Sequence, residues 1–218
     1  MIRADFHIHT RYSPDSDMPL KTLVARCLKA GLGCIAVTDH NTIEGALETA
    51  RIAPFTVIIG EEVKSSGGEI IGLFLKERIA KNLTPLETVQ AIKAQGGLVS
   101  IPHPFDGFRR NVITSAALAE VLPHTDIIEG FNARNTFQSA NRRAQELARQ
   151  RGIPVSAVTD SHTPHEVGRT YTEMREFDGT PAGFLRALAD ARLEARPVTP
   201  FIHLLTRYTK VRKRLLGR

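Results

Sequence analysis

Seven short apolar runs punctuate the chain, at residues 2–8, 34–37, 56–59, 70–75, 98–101, 127–131 and 155–158. Val, Ile and Leu run through them with little polar alternation, which predicts strands covered on both faces, as in a parallel sheet. The stretches between them have helical periodicity, and helices are predicted over 20–30, 43–51, 85–95, 115–121 and 136–151. Thr84, Pro85 and Glu87 form a capping-box signature at the start of the third helix. Gly31, Gly96 and Gly152 stand where helices should stop. The turn-rich segment 63–69 interrupts the rhythm and predicts a hairpin. Repeated βα units otherwise dominate, so the fold class is α/β, either a barrel or a doubly wound sheet, in a single domain.

Composition changes this picture little. The chain has 218 residues, 42% hydrophobic and 24% charged, ordinary for a soluble protein with a real core. No apolar stretch approaches the roughly 18 residues of a membrane span. The N-terminus lacks the basic and apolar regions of a secretory signal, so a cytoplasmic location is expected. Cys27 and Cys34 fall in a helix and the following strand and read as small buried hydrophobes. Charge is more telling. The formal net charge is +6, and Arg207, Lys210, Arg212, Lys213, Arg214 and Arg218 follow His203 with no acid among them. Setting those six aside leaves 23 basic residues against 23 acidic ones. The division expected is therefore a barrel over 1–200 and a basic C-terminal helix or tail over 201–218. Leu204, Tyr208, Val211 and Leu215 recur there at helical spacing, which fits a last helix packed on the barrel. A basic face turned to nucleic acid or an anionic membrane is the other reading.

The polar residues that close the apolar runs bring in chemistry. The first run carries His7 and His9, with Asp15 beyond; the second leads to Asp39 and His40, and the third to Glu61 and Glu62. The fifth leads to His103, the sixth to Glu129 and Asn132, and the seventh to Asp160 and His162. In a parallel barrel all these ends open onto one face, where active sites are built. His7 and His9, two apart on a strand, point the same way, and Asp160 and His162 repeat the spacing. Alone, a His-x-His is weak evidence, and Glu61-Glu62 fits a solvated pair. Together, neutral imidazoles and carboxylates at one edge suit Zn, Mn or Fe, and they exceed the needs of one tetrahedral ion. His124 and His203 lie outside these ends and read as surface or packing residues.

The ordered set resembles the PHP (polymerase and histidinol phosphatase) domain family. The matching segments are Asp5-Phe-His-Ile-His9, Ser13-Pro-Asp15, Thr38-Asp-His-Asn41, Gly60-Glu-Glu62, Ile101-Pro-His-Pro104, Glu129-Gly-Phe-Asn132 and Thr159-Asp-Ser-His162. The resemblance implies a distorted (β/α)7 TIM-like barrel with two or three divalent ions, Mn, Zn or Fe. It implies that His7, His9, Glu62 and Asp160 hold the first ion. Glu62 would bridge to a second ion shared with His103, and Asp15, His40 and His162 would hold a third. Asp17 is a fallback for Asp15. Many members carry a His where Glu69 stands here; a carboxylate serves there too, and its harder oxygen favours Mn or Mg over Zn.

Such a centre activates water and clamps phosphoryl oxygens, and no GxSxG nucleophile motif competes with it. The activity expected is hydrolysis of a phosphate ester on a small phosphorylated metabolite or nucleotide. Glu129 or His165, read as groups at the rim, could protonate the leaving oxygen. Asn132, Arg134, Arg109 and Arg110 are candidates for gripping the substrate phosphate. Two alternatives stay open: a 3′/5′ exonuclease-type phosphodiesterase on short single-stranded oligonucleotides, and a non-catalytic metal-binding module. Amidohydrolases also begin with His-x-His, but Glu62 and the Asp160/His162 pair argue for phosphate chemistry. The sequence leaves the oligomeric state open.

Overall fold

Strand β1 (Ile2–Ile8) is buried without interruption from Ala4 onward, which explains its unbroken apolar character. The computed structural model describes residues 1–199 and 202–216; the side chain of His203 lies outside the described part. After β1 come α1 (Leu20–Ala30), β2 (Leu32–Val37), α2 (Glu44–Ile52), β3 (Thr56–Ser65), β4 (Gly68–Leu73) and α3 (Pro85–Ala94). Then follow β5 (Leu98–Ile101), α4 (Ser115–Val121), β6 (Ile127–Asn132), α5 (Gln138–Arg151) and β7 (Val155–Val158). The chain continues through β8 (Tyr171–Met174), α6 (Pro181–Ala189), β9 (Arg192–Glu194) and α7 (Ile202–Leu215).

The strands form one sheet in the order β7-β6-β5-β4-β3-β2-β1-β8-β9. Pairings β1–β2, β2–β3, β5–β6 and β6–β7 are parallel. The β3–β4 hairpin and the β4–β5 pair are antiparallel, as are β8 and β9 on the flank of β1. Ile8 also bridges in parallel to Ser161, just after β7, and the His9 N–H donates to the Ser161 carbonyl at 2.9 Å. That contact draws β1 to the far edge and nearly closes a barrel. The first seven strands are the seven apolar runs. Strands β8 and β9 and helix α6 are additions with no such run, because β8 is four residues long and half-buried in alternation.

Local signals act as expected. Thr84 and Glu87 make the reciprocal capping box, and Gly31 and Gly152 take left-handed conformations at the ends of α1 and α5. Both cysteines are buried and free. Phe184 of α6 is fully buried and meets the rings of Phe6, Phe74 and Phe177 edge-on, with centroids 4.9, 5.4 and 5.5 Å away.

Two expectations need correction. Strand β3 does not end at Glu61 and Glu62 but runs on to Ser65, and both carboxylates are buried. Glu61 is no solvated acid: its Oε2 accepts the Ile79 N–H at 2.8 Å. The C-terminal helix forms but does not pack its apolar stripe on the barrel, since Leu204, Tyr208, Val211 and Leu215 are 63, 66, 53 and 81% exposed. Its barrel side is polar and hydrogen-bonded instead. The Lys213 ammonium donates to the carbonyls of Arg11, Ser13 and Ser16, each at 2.7 Å. No helix among the described residues is long and apolar enough to cross a membrane.

Candidate metal centre

The strands and the loops that follow them bring all nine ligand candidates together. Four groups have ligand atoms within 4.8 Å of one another: His7, His9 and Asp160; His7, Glu62 and His103; His40, Glu62 and Glu69; and His9, Asp15, His40 and His162. The groups share His7, His9, His40 and Glu62, so they form one continuous centre. Glu62 links it, with Oε2 3.4 Å from His7 and His9 and 3.1 Å from His40, and Oε1 3.1 Å from His103. Asp15 lies 3.3 Å from His40 and 3.4 Å from His162. Glu69 is buried, 3.8 Å from His40 and 4.0 Å from His103, and Asn111 donates to it at 3.0 Å. The fallback Asp17 is turned outward, paired with Arg212 on α7.

Backbone and outer contacts aim these side chains. His103 and Asp160 both have positive φ, 31° and 54°, a conformation uncommon outside glycine that clusters at functional sites. Asp39 accepts the Thr10 N–H, the Thr10 hydroxyl and the Ser13 hydroxyl at 2.6, 2.6 and 2.7 Å. The single Ser13 proton is therefore committed, and its oxygen accepts from His9 Nδ1 at 2.9 Å. His7 Nδ1 donates to the Glu129 carboxylate at 2.6 Å. Both rings thus turn Nε2 inward, where the two nitrogens lie 2.9 Å apart. Two ring nitrogens this close need a cation between them, either a proton on His7 or a metal ion that replaces it.

Electrostatics asks for cations at the same place. Burial alone would lower the pKa of His7, yet Asp160, Glu129 and Glu62 hold it well above its ordinary value. His40, opposed by burial but drawn up by Asp15 and Glu62, reaches about 10. Burial favours neutral Glu62 and Asp160, but His7 and His40 outweigh it for Glu62, and Arg109 and His7 for Asp160; both fall well below the carboxylate range. Burial pushes His9 and His162 down to about 4, leaving neutral rings suited to ligation. Asp15 Oδ1 and Asp160 Oδ1 are buried with no hydrogen-bond partner. Imidazoles, carboxylates and orphaned buried oxygens fit divalent ions.

The remaining candidates divide. Glu129 is not at the rim: it lies buried under the site, where Oε2 accepts the His103 N–H at 2.9 Å and Asn132 Nδ2 at 2.8 Å. Its contacts make it an orienting group for His7 and His103. His165 and Arg110 are exposed, and His124 is on the surface. Arg109 enters the centre, with Nη2 2.5 Å from Asp160 Oδ2 and 3.3 Å from Asn132 Oδ1. Arg134 is buried against His162, the Asp160 carbonyl and Thr206 of α7. Sequence reasoning missed Ser13 and Asp39 as orienting groups, although both stand inside the quoted motifs. It also missed Asp106, which holds Arg109 at 3.3 Å, and Thr206, a contact from 72 residues away that no local pattern announces.

Comparison with known proteins finds matches along most of the chain. The family model described as PHP domain matches residues 5–120, and one described as PHP-associated matches 138–193. An uncharacterized protein of Methanocaldococcus jannaschii is 44% identical over 147 residues, covering 61% of this chain and 82% of that one. A second from the same organism is 32% identical over 196 residues, covering 86% and 79%. A two-domain Bacteroides vulgatus protein, described as containing a predicted PHP-like metal-dependent phosphoesterase, has a similar fold, with TM-score 0.71 at 18% identity. The match covers 89% of this chain but only 65% of that protein. PsfC of Pseudomonas syringae has TM-score 0.69 at 15% identity, covering 97% and 99%.

Proposed function

The chain belongs to the PHP domain family, and from that premise we propose that it is a metal-dependent phosphoesterase acting on the phosphate ester of a small metabolite or nucleotide. The observation that carries this reading is the inward-facing Nε2 atoms of His7 and His9, set against Glu62 and Asp160 in a buried centre. His7, His9, Glu62 and Asp160 would hold one divalent ion, Glu62, Glu69 and His103 a second, and Asp15, His40 and His162 a third. When bound, such ions make water a competent nucleophile near neutral pH and offset phosphoryl charge. The carboxylate of Glu69, where a His is common, favours Mn over Zn.

The chain's own residues supply the rest. Arg109 reaches the centre from a loop, and its planar fork suits two phosphoryl oxygens. Asp106 and Asn132 aim it. Glu129 and Ser13 keep His7 and His9 in the tautomer whose Nε2 faces inward. Beside Arg109, Phe108 and Phe137 are 71 and 58% exposed and meet edge-on at 5.4 Å, an apolar rim that suits a nucleobase. Helix α7 stands beside the centre, with Lys210 3.9 Å from Asp15, which favours a small ester over a polymer threading through.

The test is turnover of p-nitrophenyl phosphate, nucleotides and short oligonucleotides by Mn-loaded protein. Release of phosphate from nucleotides with none from oligomers supports the reading. Cleavage of oligomers alone favours the exonuclease, and no turnover with a full metal complement favours a binding module.

A further inference from the structure

Helix α7 is amphipathic in the opposite sense from a helix packed on a barrel. Among the described residues, its part-shielded positions are Ile202, Thr206, Thr209 and Lys213, mostly polar. Thr206 meets Arg134, and Lys213 meets three loop carbonyls, so hydrogen bonds hold that face. The opposite arc is apolar. Leu204, Tyr208, Val211 and Leu215 follow one another at helical spacing and are all more than half exposed. Helical geometry sets Arg207, Lys210 and Arg214 along one border of that arc and Arg212 along the other. All four are exposed; Arg212 is paired with Asp17 and Lys210 neighbours Asp15, which leaves Arg207 and Arg214 as the cations turned to solvent.

We propose that α7 docks the protein on an anionic lipid bilayer, with its apolar arc at the acyl boundary and its bordering cations among the lipid phosphates. An apolar arc flanked by Lys and Arg is the pattern of a helix lying in a membrane interface. Charge decides against a second copy of this chain as the occupant. No acidic residue occurs from His203 to Arg218, so two such helices packed face to face would set cation rows against cation rows. An anionic surface complements them. The preceding part of the chain carries no net charge, so the attraction is concentrated on this helix. Docking would bring the mouth of the centre close to the bilayer, since Lys210 of the same helix neighbours Asp15.

The experiment is flotation of the full-length protein with vesicles of equimolar phosphatidylglycerol and phosphatidylcholine, and with phosphatidylcholine alone. The protein is expected to float with the anionic vesicles and remain below with the neutral ones. Val211→Glu with Leu215→Glu should cut partitioning at least about tenfold, because each side chain forfeits its apolar burial. Arg207→Ser with Arg214→Ser should weaken it roughly fivefold per charge. All four side chains are exposed, so melting temperatures should match the parent, and the arginine pair keeps the test open should the glutamate pair misfold. Absence of flotation with anionic vesicles overturns the proposal, as does equal flotation with neutral ones. A dimer in light scattering that Val211→Glu dissolves would assign the arc to a second copy and overturn it too.

Discussion

Asp39 touches no ligand candidate directly through its carboxylate, yet its removal should be felt at the metals. Asp39→Ala strips the acceptor from three buried donors: the Thr10 N–H, the Thr10 hydroxyl and the Ser13 hydroxyl. An orphaned buried donor costs about 1–3 kcal/mol. With the Thr10 and Ser13 hydroxyls free to turn elsewhere, the Thr10 N–H is left unpaired and the cost is about 1–3 kcal/mol. For a chain of this size that lowers Tm by roughly 2–12 °C. A second effect is specific to the site. Released from Asp39, the Ser13 proton can point at His9 Nδ1, and the ring loses the tautomer that faces Nε2 inward. Losing such an outer contact weakens metal affinity or activity by about 10–100-fold. Thermal melts by circular dichroism and Mn affinity by chelator competition read the two effects separately. Asp39→Asn, which keeps a carbonyl for Ser13, should lose much less of both. A normal Mn affinity in Asp39→Ala, with Tm within about 2 °C of the parent, would refute the reasoning.

Gly45 packs under the same carboxylate: a Cβ there would lie 2.0 Å from Asp39 Oδ2 and 2.6 Å from Thr10 Oγ1. Gly45→Ala should therefore weaken Mn binding in the same assay by about tenfold or more, and unaltered binding would show the network to be slack. Phe184→Ala should cost about 3–5 kcal/mol, or roughly 6–20 °C in Tm, while leaving the activity of folded molecules unchanged; a melt and a rate at low temperature decide it. Burial pushes the Cys27 and Cys34 thiols up to about 12, so at pH 8 the folded protein should consume no thiol reagent over a period in which the denatured protein reacts fully.

Much of this was legible in the chain because its strands are buried on both faces. Unbroken apolar runs mark such strands, and the polar residue that ends each run marks the open face of a barrel. His7, His9, His40, Glu62, His103, Asp160 and His162 all meet on that basis. Three things were not legible. Strands β8 and β9 are too short and too exposed to leave a periodic signal. Glu129 looked like a free acid, because only the three-dimensional arrangement reveals that His7 and His103 occupy it. The apolar stripe of α7 was visible, but periodicity reports that a face exists and not which way it turns. Here polar contacts to Arg134 and the Asp15 loop set the orientation.

The central claim is that these residues form a hydrolytic metal centre. Its most direct test is metal content and phosphate release measured together on the Mn-loaded parent, His9→Ala and Asp160→Ala. The account predicts two or three ions per parent chain, fewer in each variant, and turnover at background in both variants while circular dichroism shows the fold largely retained. Near-parental turnover in either variant would contradict it.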